Sequence, residues 1–172
     1  MLFSARIWFT LGFLFCAGLI GAALYFQHVQ GLDPCPLCIS QRIAVILAGS
    51  VFLAAALHNP GRTGIRVYAI LGFLASIAGA AVASRHVWLQ HLPPEEVPAC
   101  GPGLDYMFSN FPFMQTLHFM LSGTGDCAKV DWTLLGFSMP VWTLLCFLFM
   151  AAASLAQFWN VKKHHRNVLY RI

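Results

Sequence analysis

The sequence predicts an all-α membrane protein, a four-transmembrane-helix bundle with a long outer loop that contains an interfacial segment. Three observations carry this expectation. Of the 172 residues, 59% are hydrophobic and only 9% are charged, and the mean hydropathy is +0.71, whereas a soluble domain carries about 25% charge. Four stretches are long enough to cross a bilayer, which takes about 20 apolar residues. The few charges are also distributed unequally among the connections. Disorder and coiled coil are excluded by this composition, and a net charge of +4 spread over sixteen charged residues is too sparse for nucleic-acid binding. The chain reads as a single integral membrane domain over 1–172.

The first span, 7–26, has no charge. Arg6 precedes it and Gly21, Ala22 and Ala23 lie near its end, which resembles a secretory signal; its apolar core is too long and no cleavage site follows, so a retained helix is expected. The second span, 37–57, is interrupted only by Arg42, and the third, 67–84, has no charge. Gly72, Ala75, Gly79 and Ala83 put small residues on one side of the third, which permits close helix contact. The fourth, 140–159, starts with Pro140 at the first helical position and Ser138 as its cap. Trp8, Tyr25, Tyr68, Trp88, Trp142 and Trp159 fall near span ends, where amphipathic rings anchor a helix.

Orientation follows from the connections. Arg6, Arg62, Arg66, Lys162, Lys163, Arg166 and Arg171 collect on the side of both termini; the other side holds only Arg42, Arg85 and Lys129, with all six acids, Asp33, Glu95, Glu96, Asp105, Asp126 and Asp131. The positive-inside rule therefore puts both termini in the cytoplasm and turns two loops outward, 27–36 and 85–139. The longer loop is apolar over 106–121, from Tyr106, Met107 and Phe108 to Leu121. Such a stretch rests on the bilayer surface, with a short helix expected after Pro112.

Six cysteines divide into two classes. Cys16 and Cys146 lie within spans, where a thiol packs as a small inert hydrophobe. Cys35, Cys38, Cys100 and Cys127 all face outward, two in each loop, and in an oxidising compartment an even set reads as two disulfides. Cys35-Pro36-Leu37-Cys38 has the spacing of thiol–disulfide oxidoreductases, in which one thiol attacks and the other resolves. Zinc is disfavoured because Cys100 and Cys127, 27 positions apart, form no second CxxC. Attached haem is excluded because Ile39, not His, follows Cys38. A purely structural bridge within so small a ring stabilises little.

Asp33 and Pro34 read as an N-cap and first-turn residue, which sets Cys35 and Cys38 in the opening turn of the second helix, where the macrodipole favours negative charge. Arg42 follows Cys38 by four positions and shares its helix face. A cation one turn deep in a span is costly; beneath a CxxC it reads as the electrostatic partner of Cys38 and of an anion beside it. Cys100 and Cys127 enclose 26 residues, and a bridge there is worth about 3 kcal/mol in the chain-entropy model. Their spacing does not separate a staple from a relay.

The combination of four spans with F-Q-H-V, then C-P-L-C-I-S-Q-R at 35–42, H-V-W-L-Q at 86–90, Cys100, and G-D-C-A-K-V-D-W-T-L-L-G-F-S-M-P-V-W at 125–142 resembles the DsbB family, the membrane proteins of disulfide bond formation in Gram-negative bacteria. The resemblance runs from about residue 8 to about residue 160. Other members often carry Glu where this chain has Gln41, and 101–124 departs from the family in detail.

The resemblance implies a thiol-to-quinone relay in the bacterial inner membrane. Its partner is a periplasmic DsbA-like thioredoxin-fold oxidant with a potential near about −120 mV, and a glutathione-like acceptor near about −200 mV lies roughly 4 kcal/mol uphill of it. The membrane quinone pool, ubiquinone or menaquinone, is the implied acceptor. By the same resemblance the partner attacks Cys100 of a Cys100–Cys127 pair, Cys127 attacks Cys35 of a Cys35–Cys38 pair, and Cys38 leaves as a thiolate facing the quinone, with Arg42 and His86 binding it. His86 is expected just past the third span. Two other classes fit less well. A claudin- or tetraspanin-like structural protein has no CxxC followed by Arg at a helix start. A vitamin K epoxide reductase-like protein carries its CxxC on a late helix.

Overall fold

The computed structural model describes residues 2–101, 106, 109–130 and 132–169, with side chains omitted at 2–4 and 160–169. Asp105, Met107, Phe108, Asp131 and Arg171 therefore lie outside the described residues, as do the side chains of Lys162, Lys163 and Arg166. In chain order the elements are α1 (Leu2–His28), α2 (Pro36–His58), α3 (Arg62–Gln90), α4 (Phe113–Ser122), a 3-10 turn (Gly125–Ala128), a hairpin of β1 (Thr133–Leu134) and β2 (Phe137–Ser138), and α5 (Met139–Leu169). Ala5–His28, Pro36–His58, Arg62–Gln90 and Met139–Trp159 are each long and apolar enough to cross a membrane. Within lipid a helix satisfies its own backbone polar groups, which is why these apolar runs take no other form.

The four long helices form one bundle. Contacts run from α1 to α2, α2 to α3 and α3 to α5, and the edge-on pairing of Phe15 with Phe149 at 5.7 Å closes α1 onto α5. Phe52 and Phe147 fill the centre, at 5% and 0% exposure. The small residues of α3 make room for them: a Cβ at Gly79 would collide with the Phe147 ring, and one at Gly72 with Phe52. Outward-facing Leu11, Leu47, Leu57, Leu74 and Phe149 are all exposed, as a lipid-facing surface requires. Cys16 is buried with its sulfur 3.4 Å from that of Met150.

Three boundaries differ from the sequence reading. The cap of α2 is Cys35 rather than Asp33, with Pro36 at the first helical position. A proline disfavours the α region for the residue before it; Cys35 accordingly is extended (φ −68°, ψ 165°) and its sulfur accepts the Cys38 N–H, so Asp33 and Pro34 belong to the connection. The third helix runs beyond 67–84 at both ends, to Arg62 and Gln90. Arginines stop an apolar count without stopping a helix, because their stems stay in contact with the bundle while the heads leave it: Arg85 lies 4.3 Å from the Trp88 ring centroid and its Nε donates to Ser122 O at 3.3 Å. Ser138 precedes the last helix, but its hydroxyl donates to Gln90 Oε1 at 2.6 Å and ties the hairpin to α3 instead of capping.

Between α3 and the hairpin, α4 starts after Pro112 and ends at Gly123 with φ +80°. Thr116 and Met120 face inward, and the Ser40 hydroxyl on α2 donates to Met120 O at 3.0 Å. Phe113 and Met114 on the other side are 76% and 74% exposed.

Candidate active site

Cys35, Cys38, Cys127 and His86 converge at the start of α2. Cys35 and Cys38 sit one turn apart with their sulfurs 3.0 Å from each other, and the Cys38 N–H reaches the Cys35 sulfur at 3.4 Å. The 3-10 turn delivers Cys127 to the same place. Cys127 is fully buried against Leu37, Leu89 and Cys35, and Cys35 Sγ, Cys127 Sγ and a His86 ring nitrogen lie within 4.8 Å of one another.

Cys100 occupies the opposite end of this path. It is exposed, yet the Gly125 N–H bonds Ala99 O at 3.2 Å, which holds the 98–100 segment against the turn that carries Cys127. Gly125 is required there, since a Cβ would strike the Pro98 carbonyl. The four loop cysteines thus sit in different settings: Cys100 exposed, Cys127 buried, and Cys35 and Cys38 half-buried at the cap and first turn of α2.

His86 is not past the third span but within α3, at 3% exposure. Its Nε2 is 3.8 Å from Cys35 Sγ and its Nδ1 is 3.0 Å from Gln41 Nε2. An amide nitrogen only donates, so Nδ1 accepts and the ring proton resides on Nε2, directed at the Cys35 sulfur. The cysteine pair is polarised as well. The hydrogen bond from Cys35 is the largest influence on Cys127 and holds its thiol down at about 6, with backbone N–H groups assisting and burial opposing. That same contact pushes the Cys35 thiol far up.

Arg42 does not pair with Cys38. Its guanidinium donates to the Gln27 side-chain oxygen and to Ala23 O at 3.1 Å, so α1 supplies its acceptors. Arg42, Cys38, Gln41 and His86 nevertheless line one cavity of about 1260 Å³, together with apolar Phe26, Ile39 and Val45. Trp132 packs on Phe26 at 4.8 Å between ring centroids and covers part of it. Gln27 is the residue that sequence reasoning passed over, a polar side chain beside a span in the quoted F-Q-H-V motif; Gln41 was noted only as a departure from the Glu that other members often carry, without its contact to His86.

Four membrane-length helices, a CxxC at the cap of the second and a loop cysteine buried against it define a membrane protein of thiol–disulfide chemistry. Residues 5–157 match the family model described as Disulfide bond formation protein DsbB. The chain is 65% identical to Disulfide bond formation protein B of Methylococcus capsulatus over 160 residues, covering 93% of this chain and 98% of that one. To the protein of that name from Hahella chejuensis it is 59% identical, with 83% and 87% covered. To Disulfide bond formation protein B 1 of Pseudomonas aeruginosa it is 48% identical, with 90% and 95% covered. The chain belongs to the DsbB family and is a disulfide bond formation protein.

Proposed function

We propose that the protein is a thiol:quinone oxidoreductase of the bacterial inner membrane, with both termini cytoplasmic, that reoxidises a periplasmic DsbA-like dithiol oxidant and passes two electrons to ubiquinone or menaquinone. The observation that carries this reading is the burial of Cys127 within 4.8 Å of Cys35, because a relay between two loops needs that approach and a loop staple does not.

The sequence of bonds balances. The partner's thiolate forms a bond to Cys100 as Cys100–Cys127 breaks, and the freed Cys127 forms a bond to Cys35 as Cys35–Cys38 breaks. The partner's second thiol displaces Cys100, which leaves the partner oxidised, and Cys100 then retakes Cys127 and leaves Cys35 and Cys38 reduced. A quinone accepts the two electrons and two protons that this dithiol holds. The cavity beside Cys38 suits a flat, amphipathic molecule: Phe26, Ile39 and Val45 offer apolar contact, while Arg42, Gln41 and His86 supply polar groups for its oxygens. Arg42 is anchored by Gln27 and Ala23, which holds its charge on the cavity wall. The Nε2–H of His86 points at Cys35 Sγ, 3.8 Å away, the sulfur that Cys127 attacks.

Purified protein given a reduced DsbA-like protein and a short-chain ubiquinone bleaches the quinone absorbance. The Cys38→Ser variant abolishes turnover while still forming the mixed disulfide with the partner; full turnover by that variant overturns the reading.

A further inference from the structure

We propose that the reduced protein contains a latent site for a zinc-class metal ion, formed by Cys35, Cys127 and His86 with Cys38 as the fourth donor, and that occupation of this site locks the protein in its reduced state. The spacing of the cysteines alone argued against zinc, since no second CxxC exists. The fold supplies the missing ligands from elsewhere in the chain.

The donor types are those that a borderline-soft divalent cation selects, thiolate sulfur and imidazole nitrogen. Bond lengths of about 2.3 Å to sulfur and about 2.0 Å to nitrogen put the edges of a tetrahedral site at roughly 3.5–3.8 Å. Cys35 Sγ and His86 Nε2 are already 3.8 Å apart, and no pair in the triad exceeds 4.8 Å. Cys38 Sγ lies 3.0 Å from Cys35 Sγ, on the second arm of a C-x-x-C clamp. The ligands come from the cap of α2, from α3 and from the 3-10 turn. His86 and Cys127 are buried and Cys35 is half-buried, so the site is close to assembled and shielded from competing water.

Binding displaces protons and moves no electrons. Each cysteine ligates as its thiolate, and any thiol proton that Cys35, Cys127 or Cys38 still carries goes to solvent. Nε2 of His86 becomes a ligand only after its proton moves to Nδ1, which requires the Gln41 carboxamide to turn so that its oxygen accepts. That partner then orients the ring, the usual role of a group behind a metal-bound imidazole. With Cys35 and Cys38 joined in a disulfide the thiolates are absent, so the site exists only in the reduced protein. It stands on the geometry of the triad and needs neither quinone nor partner, so it fails or holds separately from the proposed function.

The test is titration of the full-length reduced protein in detergent, without oxygen, using cobalt(II) as a spectroscopic probe and zinc(II) as competitor. The expected result is one cobalt per chain with a thiolate-to-cobalt charge-transfer band, displaced by zinc and absent from the oxidised protein. Cys127→Ala and His86→Ala each weaken binding by at least about tenfold, whereas Cys16→Ala and Cys100→Ala do not. Gln41→Glu, a variant that keeps every ligand, binds more tightly because its carboxylate accepts from Nδ1–H without a rotation. Absence of the band from the reduced protein, equal binding by the oxidised protein, or unchanged affinity in both Cys127→Ala and His86→Ala overturns the proposal.

Discussion

The sulfur of Cys127, from the long outer loop, lies within 4.8 Å of the sulfur of Cys35 at the cap of α2, although 92 positions of chain separate them. The Gly125 N–H bond to Ala99 O and the burial of Cys127 beside Leu37 and Leu89 hold the turn in place. Contact between the two thiols makes them chemically unequal, and that inequality is measurable.

In the fully reduced protein Cys127 has a pKa of about 6, against about 8.5 for an ordinary thiol. A lowered value means that the thiolate is present at neutral pH and disappears as pH falls through 6. Its reaction with a small methanethiosulfonate, followed by mass spectrometry, is therefore flat from pH 7 to pH 9 and drops about tenfold per unit below the pKa. A midpoint near pH 8.5 contradicts the assignment.

Gln41 sets the proton on His86. Gln41→Leu leaves Nδ1 buried without its donor, at a cost of about 1–3 kcal/mol, and turnover falls about tenfold or more. Gln41→Glu reverses the polarity, since a carboxylate draws the proton to Nδ1 and leaves Nε2 as a base; the pH–rate profile then shifts while turnover is largely kept. If both variants retain the wild-type profile, Gln41 has no part in the site.

Arg42 is anchored to α1 and faces the cavity. Arg42→Ala raises the KM for a short-chain quinone about tenfold, the worth of one hydrogen bond to a charged group, with a smaller change in the KM for the DsbA-like partner. Equal effects on both indicate that Arg42 supports only the fold.

The packing of α3 on α5 depends on Gly79, where a Cβ would meet the Phe147 ring. Gly79→Ala destabilises the bundle by about 1–3 kcal/mol through overpacking, whereas Gly18→Ala, at a position with open space, leaves it unchanged. Thermal unfolding in detergent distinguishes them.

Much of this architecture is legible from composition, because lipid admits few ways to bury a backbone and the apolar runs must be helices. The four long helices follow from that constraint, and α4 from the apolar stretch after Pro112. Helix ends follow less well: arginines such as Arg66 and Arg85 end an apolar count but continue the helix. Pro36 disfavours a helical Cys35, and reading Asp33 as the cap overlooked that local rule. The CxxC and Arg42 stand out by spacing and by scarcity of charge. The approach of Cys127 to Cys35 and the Gln41–His86 bond depend on tertiary contacts across 92 and 45 positions, and no local pattern encodes them.

The most direct test of the relay is the bond itself. In a Cys38→Ala/Cys100→Ala variant, Cys35 and Cys127 are the only outer cysteines left, and mild oxidation should join them within one chain in near-quantitative yield, read by mass spectrometry of the digested protein. Free Cys35 and Cys127 after that oxidation, or bridges only between chains, contradict the transfer of a disulfide from the outer loop to α2.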